Sequence, residues 1–236
     1  MNYLTFIDDG KLESIISNIL DRGASSIRNA QNKFDRNVID PFSILFEMSS
    51  FNIDLNKWIE NETMRQAQKS LSNHIGDFHQ KLLGSFNGWE CLPTGEIIDA
   101  ICYEKKIIAE IKNKHNTLKG SDRSAMYYKL DDLIMKKGQK YKDFTAYYVE
   151  VIPKKPARYN LPFTPSDASK GIKCSVNEKI RVIDGYSFYA LASGVDNALE
   201  QIFNVLPMVI QKIKPEYNLV DLKETLQYFN SAFLGK

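Results

Sequence analysis

The sequence is poor in the residues that define disulfide-stabilised and zinc-binding proteins. Its 236 residues include three cysteines, Cys91, Cys102 and Cys174, an odd number at wide spacing. That pattern fits neither a disulfide framework nor a zinc knuckle. The three histidines form no HExxH or comparable metal motif, so zinc chemistry is not expected. Cys102, which lies inside an apolar run, is predicted to be a small core residue.

Long apolar runs, targeting signals and repeats are also missing. No stretch approaches the roughly 20 apolar residues that span a bilayer, and the N-terminus, with Asp8 and Asp9, has no signal-peptide pattern. We therefore expect a cytoplasmic protein without a membrane partner. No repeat, low-complexity tract or clear linker divides the chain, so a single domain over residues 1–236 is predicted.

The net charge is only +2, but the charges are unevenly distributed. Residues 1–100 carry 9 Lys and Arg against 14 Asp and Glu, whereas residues 101–180 carry 17 against 9. Residues 181–236 are nearly balanced, with 5 against 6. A basic middle third on a nearly neutral chain suits a surface that faces phosphates. The alternative is a lysine-rich solvated face, which charge alone does not exclude.

Apolar periodicity predicts a succession of helices and strands. Helices are expected at 11–34, 41–49, 54–84 (with an interruption near Gly76), 122–137, 195–213 and 219–233. Strands are expected at 96–103, 106–112, 144–152 and 180–192, with a long loop over 153–178. This order predicts a mixed α/β (α+β) fold with a central mixed β-sheet flanked by helices. Its parts would be a helical N-terminal part (1–90), a catalytic sheet core (91–192) and C-terminal helices (193–236).

Three charged residues interrupt the apolar hairpin formed by 96–103 and 106–112. Asp99 lies in the first strand, and Glu110 and Lys112 lie two residues apart at the end of the second. Because side chains alternate along a strand, Glu110 and Lys112 share one face. Charged groups among isoleucines are costly unless they pair or bind metal. The set therefore predicts a catalytic centre, against the alternative of an ordinary surface ion pair.

A divalent cation between Asp99 and Glu110 would satisfy both carboxylates. Mg²⁺ takes oxygen ligands and keeps several waters, so one or two carboxylates suffice, and the Ile111 carbonyl is a candidate third protein ligand. In phosphodiester hydrolysis such a metal polarises the phosphoryl oxygen and lowers the pKa of its bound water. Lys112 can position that water, help deprotonate it and offset transition-state charge. The residues alone thus predict a Mg²⁺-dependent nuclease.

Candidates for DNA binding lie after the hairpin and in the long loop. The run 113–117 (NKHNT) leaves the sheet at the catalytic end and holds only hydrogen-bonding side chains. The alternative is a polar turn that caps the next helix. The loop supplies basic groups that suit phosphates or guanine, although an exposed flexible loop would explain them equally well. The predicted DNA-binding residues are Lys114, His115, Asn116, Arg123, Lys154, Lys155 and Arg158.

A polar stripe upstream of the hairpin admits two interpretations. Glu62, Arg65, Gln66, Lys69 and Asn73 fall on one face of a predicted helix. A stripe this continuous is usually solvated. In a nuclease it could instead line the cleft, with Glu62 as a further catalytic carboxylate at the metal site. The sequence leaves both interpretations open.

The segment AEIKNKHNT (109–117) resembles the PD-(D/E)XK type II restriction endonucleases, and more narrowly the subfamily that cuts GGNCC-type sites. Supporting segments are IDPFSILFE (39–47), WIENETMRQAQKSLSNHIGDFHQ (58–80) and GEIIDAI (95–101). The similarity thins in the C-terminal third. It implies the restriction-endonuclease-like fold, with Asp99 and Glu110 as Mg²⁺ ligands and Lys112 as the catalytic lysine. The proline usual before the first acid is absent, since Ile98 stands there, a departure that leaves the assignment intact.

The resemblance also implies an activity and partners. A type II restriction endonuclease hydrolyses both strands of double-stranded DNA at a short palindromic site and leaves 5′-phosphates. A palindrome matches a twofold axis, which implies a homodimer, and a cognate DNA methyltransferase would protect host DNA. The alternatives are another nuclease of this fold, from repair or a mobile element, a non-catalytic DNA-binding module, and an α/β protein with a structural ion pair. The intact Asp99, Glu110 and Lys112 argue against the DNA-binding module.

Overall fold

The computed structural model describes residues 2–36, 38–93, 95–217 and 221–235. The chain divides into two compact units. One comprises Ile16–Phe78, and the other combines Met1–Ile15 with His79–Lys236. The first unit is helical, whereas the second holds the β-sheet. The prediction of a single domain stays a prediction.

The helical unit takes most of α1 (Asp9–Asn32), all of α2 (Pro41–Phe51) and most of α3 (Leu55–Leu83), with a 3₁₀ turn at Phe34–Arg36. Helix α2 begins where the sequence predicts, because Asp40 accepts a hydrogen bond from the Phe42 backbone N–H and a proline occupies the first turn. It ends at Asn52, whose left-handed conformation stops the helix.

Helix α3 is continuous, so the predicted interruption near Gly76 is wrong. Gly76 lies inside the helix, and apart from its own helical turn no atom of the described residues lies within 4 Å of the position that a Cβ would take. A glycine there lowers the intrinsic helix propensity without breaking the backbone hydrogen bonds. Trp58, near the start of the same helix, is buried and packs edge-to-face against Phe34. Its indole N–H donates to Glu47 at 2.9 Å, which ties α3 to α2.

The second unit is built on strands β1 (Glu90–Cys91), β2 (Ala100–Cys102), β3 (Ile107–Lys114), β4 (Thr145–Ile152), β5 (Asn160–Pro162), β6 (Ser166–Asp167), β7 (Ile172–Lys173) and β8 (Ile180–Asp184). Six of them form one sheet in the order β1-β2-β3-β4-β8-β5. Strands β2 and β3 are antiparallel and form the predicted hairpin, whereas β3, β4 and β8 run parallel. Strands β6 and β7 pair separately. This mixed sheet with helices confirms the predicted fold class.

Helices cover both faces of the sheet. Helix α4 (Gly120–Met135) connects β3 to β4, and its Leu130 joins a buried cluster with Ile108 and Tyr148 on one face. On the other face, the Tyr147 ring packs 5.6 Å from Phe188 of helix α5 (Gly185–Ser193). Alternation along β4 explains this division, because neighbouring side chains point to opposite faces.

The predicted strand over 180–192 is half wrong. Strand β8 stops at Asp184, whose carboxylate accepts the Ser187 backbone N–H and caps helix α5. Gly194, with φ 76°, ends that helix. Gly185 lies so close to the Val151 backbone that a Cβ atom would collide with it. Asp184 and Gly194, the residues that cap the two ends of helix α5, are visible in the sequence. The apolar run between them nevertheless resembles a buried strand, which explains the wrong prediction.

The predicted loop over 153–178 contains three short strands, β5, β6 and β7, and is therefore more ordered than expected. Strand β5 closes one edge of the main sheet through its pairing with β8. The predicted strand over 96–103 is in turn reduced to the three residues of β2. Strands of two or three residues carry too little periodicity to be found from sequence.

Two further helices, α6 (Ala198–Ile213) and α7 (Leu222–Phe233), end the chain as predicted. Residues 219–220 of the predicted last helix lie outside the described residues. The aromatic rings of Phe203 and Phe229 join α6 to α7 at 4.8 Å. Across the described ranges, no helix is long and apolar enough to cross a membrane.

Candidate active site

The antiparallel hairpin brings the three predicted catalytic residues to one face of the sheet. Ala100 pairs with Ala109, so Asp99, one residue before β2, comes opposite Glu110. The Asp99 backbone N–H donates to the Ala109 carbonyl at 2.8 Å, which continues the pairing beyond the strand. Glu110 and Lys112 lie two residues apart on β3 and share this face.

Each charged group in this set has a defined partner. The Lys112 ammonium lies 2.5 Å from Glu110 Oε1. The Ile111 backbone N–H donates to Asp99 Oδ2 at 2.7 Å, and the negative charge of Asp99 acts to raise the pKa of Glu110. Glu110 is only 5% exposed, whereas Lys112 is partly exposed. Solvent therefore reaches the lysine more readily than the glutamate.

The single positive charge of Lys112 faces two carboxylates, those of Asp99 and Glu110. Burial raises the pKa of Asp99, although a hydrogen bond from the Ile111 backbone opposes the rise. Burial, followed by the Asp99 charge, raises the pKa of Glu110 to about 7, although Lys112 acts in the opposite direction. One ammonium thus does not fully compensate the buried Glu110 and the partly buried Asp99. A bound cation would stabilise their ionised forms.

Oxygen atoms are the donors that this hairpin offers to a metal. In the part of the chain that the structure describes, no group of three or more His, Cys, Asp or Glu side chains could hold an ion. The hairpin supplies two carboxylates, from Asp99 and Glu110, and the backbone carbonyl of Ile111, the residue between Glu110 and Lys112. This donor set suits a hard cation that keeps several of its waters.

Gln80, near the end of α3, is a site residue that sequence reasoning missed. Its amide N–H donates to the Ile111 carbonyl at 3.3 Å, and its side chain acts to lower the pKa of Asp99 against the effect of burial. Gln80 therefore contacts the backbone of the candidate metal site. It lies in the segment 58–80 that carries the family resemblance, but the sequence does not show which residue of that helix faces the hairpin.

Parallel pairing sets two residues of β4 beside the catalytic set. Glu110 pairs with Tyr148, and Lys112 pairs with Glu150. Tyr148 is fully buried, and its hydroxyl finds no hydrogen-bond partner among the described residues. Burial raises the pKa of Tyr148 to about 12. The sequence predicts strand β4 but not its register against β3, so neither neighbour could be found from the sequence.

Glu150 is buried and is held by two side chains. The Arg123 guanidinium forms an ion pair with it, and the Tyr159 hydroxyl donates to it at 2.5 Å. Arg123 also donates to the His115 carbonyl at 3.2 Å and lies 5.1 Å from the centre of the Tyr148 ring. The guanidinium of Arg123, a predicted DNA-binding residue, is thus engaged inside the fold. Its role in DNA binding stays a prediction.

The segment after β3 combines exposed and buried polar groups. Lys114 and Asn116 are exposed, and the His115 backbone N–H donates to the Ile152 carbonyl at 3.0 Å. Asn113 Oδ1 and His115 Nδ1 are buried, and within the described ranges neither has a hydrogen-bond partner. Since buried polar atoms are normally paired, these two are available to a ligand or to water.

The basic loop residues differ in their surroundings. Lys154 and Lys155 are exposed directly after β4. The Arg158 guanidinium lies 4.0 Å from the centre of the Tyr186 ring, at cation–π distance. The two lysines are therefore open to a polyanion, whereas Arg158 is partly fixed by an aromatic side chain.

Glu62 lies in the helical unit, whereas Asp99, Glu110 and Lys112 lie in the other unit. It is buried, and its carboxylate accepts hydrogen bonds from Arg65 and Gln66. The Arg65 hydrogen bond is the largest cause that lowers the pKa of Glu62. Its predicted catalytic role stays a prediction, but the carboxylate already has an arginine and an amide as partners.

Comparison with known proteins relates the whole chain to nucleases. The family described as Eco47II restriction endonuclease matches residues 4–214. The type II restriction enzyme Eco47II of Escherichia coli is 40% identical over 239 residues, which cover 99% of this chain and all of the relative. The type II restriction enzyme Sau96I of Staphylococcus aureus is 30% identical over 212 residues, which cover 88% of this chain and 80% of the relative.

Proposed function

Because the chain belongs to the Eco47II restriction endonuclease family and is a type II site-specific deoxyribonuclease, we propose that Asp99, Glu110 and Lys112 are its catalytic residues. One observation carries this proposal: a buried glutamate, Glu110, and a partly buried aspartate, Asp99, share a sheet face with a lysine that contacts the glutamate at 2.5 Å. Acids whose pKa is shifted by burial and by a specific charged neighbour are concentrated at functional sites. The substrate is double-stranded DNA.

The family implies a divalent metal cofactor, and we infer that it is Mg²⁺, held by Asp99, Glu110 and the Ile111 carbonyl. The fit rests on the donor set, which is all oxygen, and on the raised pKa of both acids, which a cation would reverse. When bound, the metal supplies Lewis-acid polarisation of the phosphoryl group and a more acidic water. Gln80 would orient the same carbonyl through the hydrogen bond that it donates.

The chain's own residues then have separate tasks. Asp99 is aligned by the Ile111 backbone N–H, so its carboxylate enters the reaction already oriented. As an ammonium, Lys112 Nζ orients the attacking water and offsets the negative charge on the phosphoryl oxygens; to accept the proton of that water, it must first release one of its own. Water adds to phosphorus, and the bond to the 3′-oxygen breaks, which leaves a 5′-phosphate and a 3′-hydroxyl.

We further propose that the enzyme acts as a homodimer on a short palindromic site of the GGNCC type. The proposed catalytic set occurs once per chain, so cleavage of both strands at one site calls for two copies. The exposed face of α2 supports this partner. Phe42, Leu45 and Phe46, at helical spacing, are 68%, 65% and 69% exposed.

Further apolar side chains of the helical unit are also exposed. Phe51 at the end of α2 and Leu55 and Ile59 on α3 are 66%, 51% and 36% exposed. Several exposed apolar side chains in one unit are typical of a surface that contacts another protein. A cognate DNA methyltransferase remains the proposed genetic partner, and the cytoplasm, where both would meet host DNA, the proposed location.

The decisive experiment is digestion of a plasmid of known sequence, followed by sequencing of the fragment ends. We expect discrete fragments with Mg²⁺, 5′-phosphate ends, one palindromic sequence at every cut and no cleavage in excess chelator. Fragments with random ends would indicate another nuclease of this fold. Binding without cleavage at any salt concentration would contradict the catalytic assignment.

A further inference from the structure

A cleft in the helical unit holds an arginine whose donors are only partly used. The cleft encloses about 810 Å³ and lies between α2 and α3. Its polar lining includes Asp40, Glu47, Glu62, Arg65, Lys69 and Asn73. Three of these side chains are acidic and two are basic. An excess of acid makes the cleft a poor site for phosphate, although hydrogen-bonding groups of both kinds are abundant.

Glu62 fixes the orientation of the Arg65 guanidinium. Arg65 Nε and Nη2 each donate to one oxygen of the Glu62 carboxylate at 2.6 Å, and the Gln66 amide donates to Oε1 at 2.9 Å. The carboxylate is buried, with 9% of its side chain exposed, whereas 66% of the Arg65 side chain is exposed. A buried anion therefore holds an arginine whose outer edge faces solvent.

That outer edge matches one feature of duplex DNA. A guanidinium has five N–H groups, of which the contact with Glu62 uses two. The remaining donors, on Nη1 and on the second Nη2 hydrogen, form a fork. Guanine presents two acceptors, N7 and O6, side by side in the major groove, and an arginine fork is the commonest group that binds them.

We propose that Arg65, held in place by Glu62, recognises a guanine of the DNA site through the major groove. This inference rests on the proposed function, because it assumes a sequence-specific DNA substrate. It gives the polar stripe of α3 a role in specificity and makes Glu62 a positioning residue. An α-helix such as α3 fits the width of the major groove. A plain helix-stabilising ion pair, the competing account, predicts no dependence on base identity.

The test uses duplexes in which each guanine of the cleavage site is replaced singly by 7-deazaguanine, which lacks the N7 acceptor. Binding is measured in the Lys112→Ala background with Mg²⁺, so that the DNA stays intact. When one particular guanine is replaced, we expect the Kd of the parent to rise about 10-fold to 100-fold. The Kd of Arg65→Ala should already be raised by a similar factor on the unmodified site. It should not rise further on the duplex that carries that one replacement.

Two further variants separate recognition from charge. Arg65→Lys keeps the charge but removes the planar fork, and we expect it to behave like Arg65→Ala. Arg28→Ala removes an exposed arginine from the same unit, on α1 and outside the cleft, and should keep the full 7-deazaguanine effect. Glu62→Gln should weaken the same guanine preference, with the melting temperature recorded beside it.

Three results would overturn the inference. If every 7-deazaguanine replacement weakened the binding of Arg65→Ala as much as it weakened the binding of the parent, a contact between Arg65 and guanine N7 would be excluded. If Arg65→Ala bound specific and random DNA equally more weakly than the parent, and its affinity depended less steeply on salt, Arg65 would contact a phosphate instead. A lower melting temperature with unchanged binding would identify a structural ion pair. Failure of the proposed function is distinguishable, because no discrete cleavage site would then exist from which to design the duplexes.

Discussion

Lys112 Nζ lies 2.5 Å from Glu110 Oε1, two residues away on the same strand and face. This contact joins the only cation of the catalytic set to the acid whose pKa burial and Asp99 raise to about 7. The lysine partly stabilises the buried carboxylate. In the proposed mechanism it also presents an ammonium group to the approaching phosphate.

Replacement of the lysine tests the catalytic assignment. We expect Lys112→Ala to reduce the cleavage rate by at least 100-fold, because general acid–base and electrostatic contributions of one group are typically of this size. Specific DNA binding should remain within a few-fold of the parent. Initial rates on a plasmid with one site, together with gel-shift titration, measure both quantities.

A lysine elsewhere on the same unit provides the control. Lys129, exposed on α4, carries the same charge outside the catalytic set. Lys129→Ala should cleave at the parental rate. Cleavage by Lys112→Ala at a rate close to the parent, with weaker binding, would make Lys112 a DNA contact and refute its catalytic role.

The raised pKa of Glu110 predicts a stability that depends on pH. Because the folded state raises this pKa from 4.5 to about 7, the native protein binds more protons than the unfolded chain between these values. The associated stability is present below pH 4.5 and is lost as pH rises through 7. Its size is at most about 3 kcal/mol. Asp99, whose pKa is also raised, acts in the same direction.

Melting temperatures in chelator, from pH 5 to pH 8, measure this dependence. Glu110→Gln should flatten the curve, whereas Glu104→Gln, exposed in the hairpin turn, should not. Added Mg²⁺ should stabilise the parent more at pH 8 than at pH 5.5, since its ligands must be deprotonated. A stabilisation by Mg²⁺ that is equal at both pH values would argue against Glu110 as a ligand.

Much of this arrangement follows from local sequence, because a hairpin is a local structure. Alternation along β3 fixes that Glu110 and Lys112 share a face, and antiparallel pairing brings Asp99 to them. Helix caps such as Asp40 are likewise local, and the sequence locates α2 correctly. These features need only neighbouring residues and one turn.

The remaining site residues depend on long-range pairing that the sequence does not encode in a visible pattern. Tyr148 and Glu150 lie beside Glu110 and Lys112 because β4 pairs in parallel with β3 in this register. Helix α4 separates the two strands in the sequence. Gln80, near the end of α3, donates a hydrogen bond to the carbonyl of Ile111, which follows it by 31 residues. The sequence marks all three as ordinary residues of a strand or a helix. Only the fold assigns them neighbours.

The ion pair between Arg123 and Glu150 predicts a large loss of stability when it is broken. Arg123→Ala would leave Glu150 buried without its cation, and such a change typically costs about 3–5 kcal/mol. The double variant Arg123→Met with Glu150→Leu should recover much of that loss, since it removes both charges. Urea unfolding of the three proteins gives the values. Unchanged stability of Arg123→Ala combined with weaker DNA binding would support the role in DNA binding predicted from sequence.

The apolar face of α2 predicts how the oligomeric state controls the reaction. Phe46→Glu should disrupt a dimer, because a charge on each copy would be buried in the interface at a cost that one apolar contact cannot offset. Sedimentation at micromolar concentration should then show monomers, whereas the parent sediments as a dimer. Val176→Glu, a change at an exposed apolar residue in the other unit, should remain dimeric.

On a supercoiled plasmid, Phe46→Glu should accumulate nicked circles before linear product, because single chains cut one strand at a time. A parent that is monomeric at every concentration and still cuts both strands in one event would rule out this use of the face.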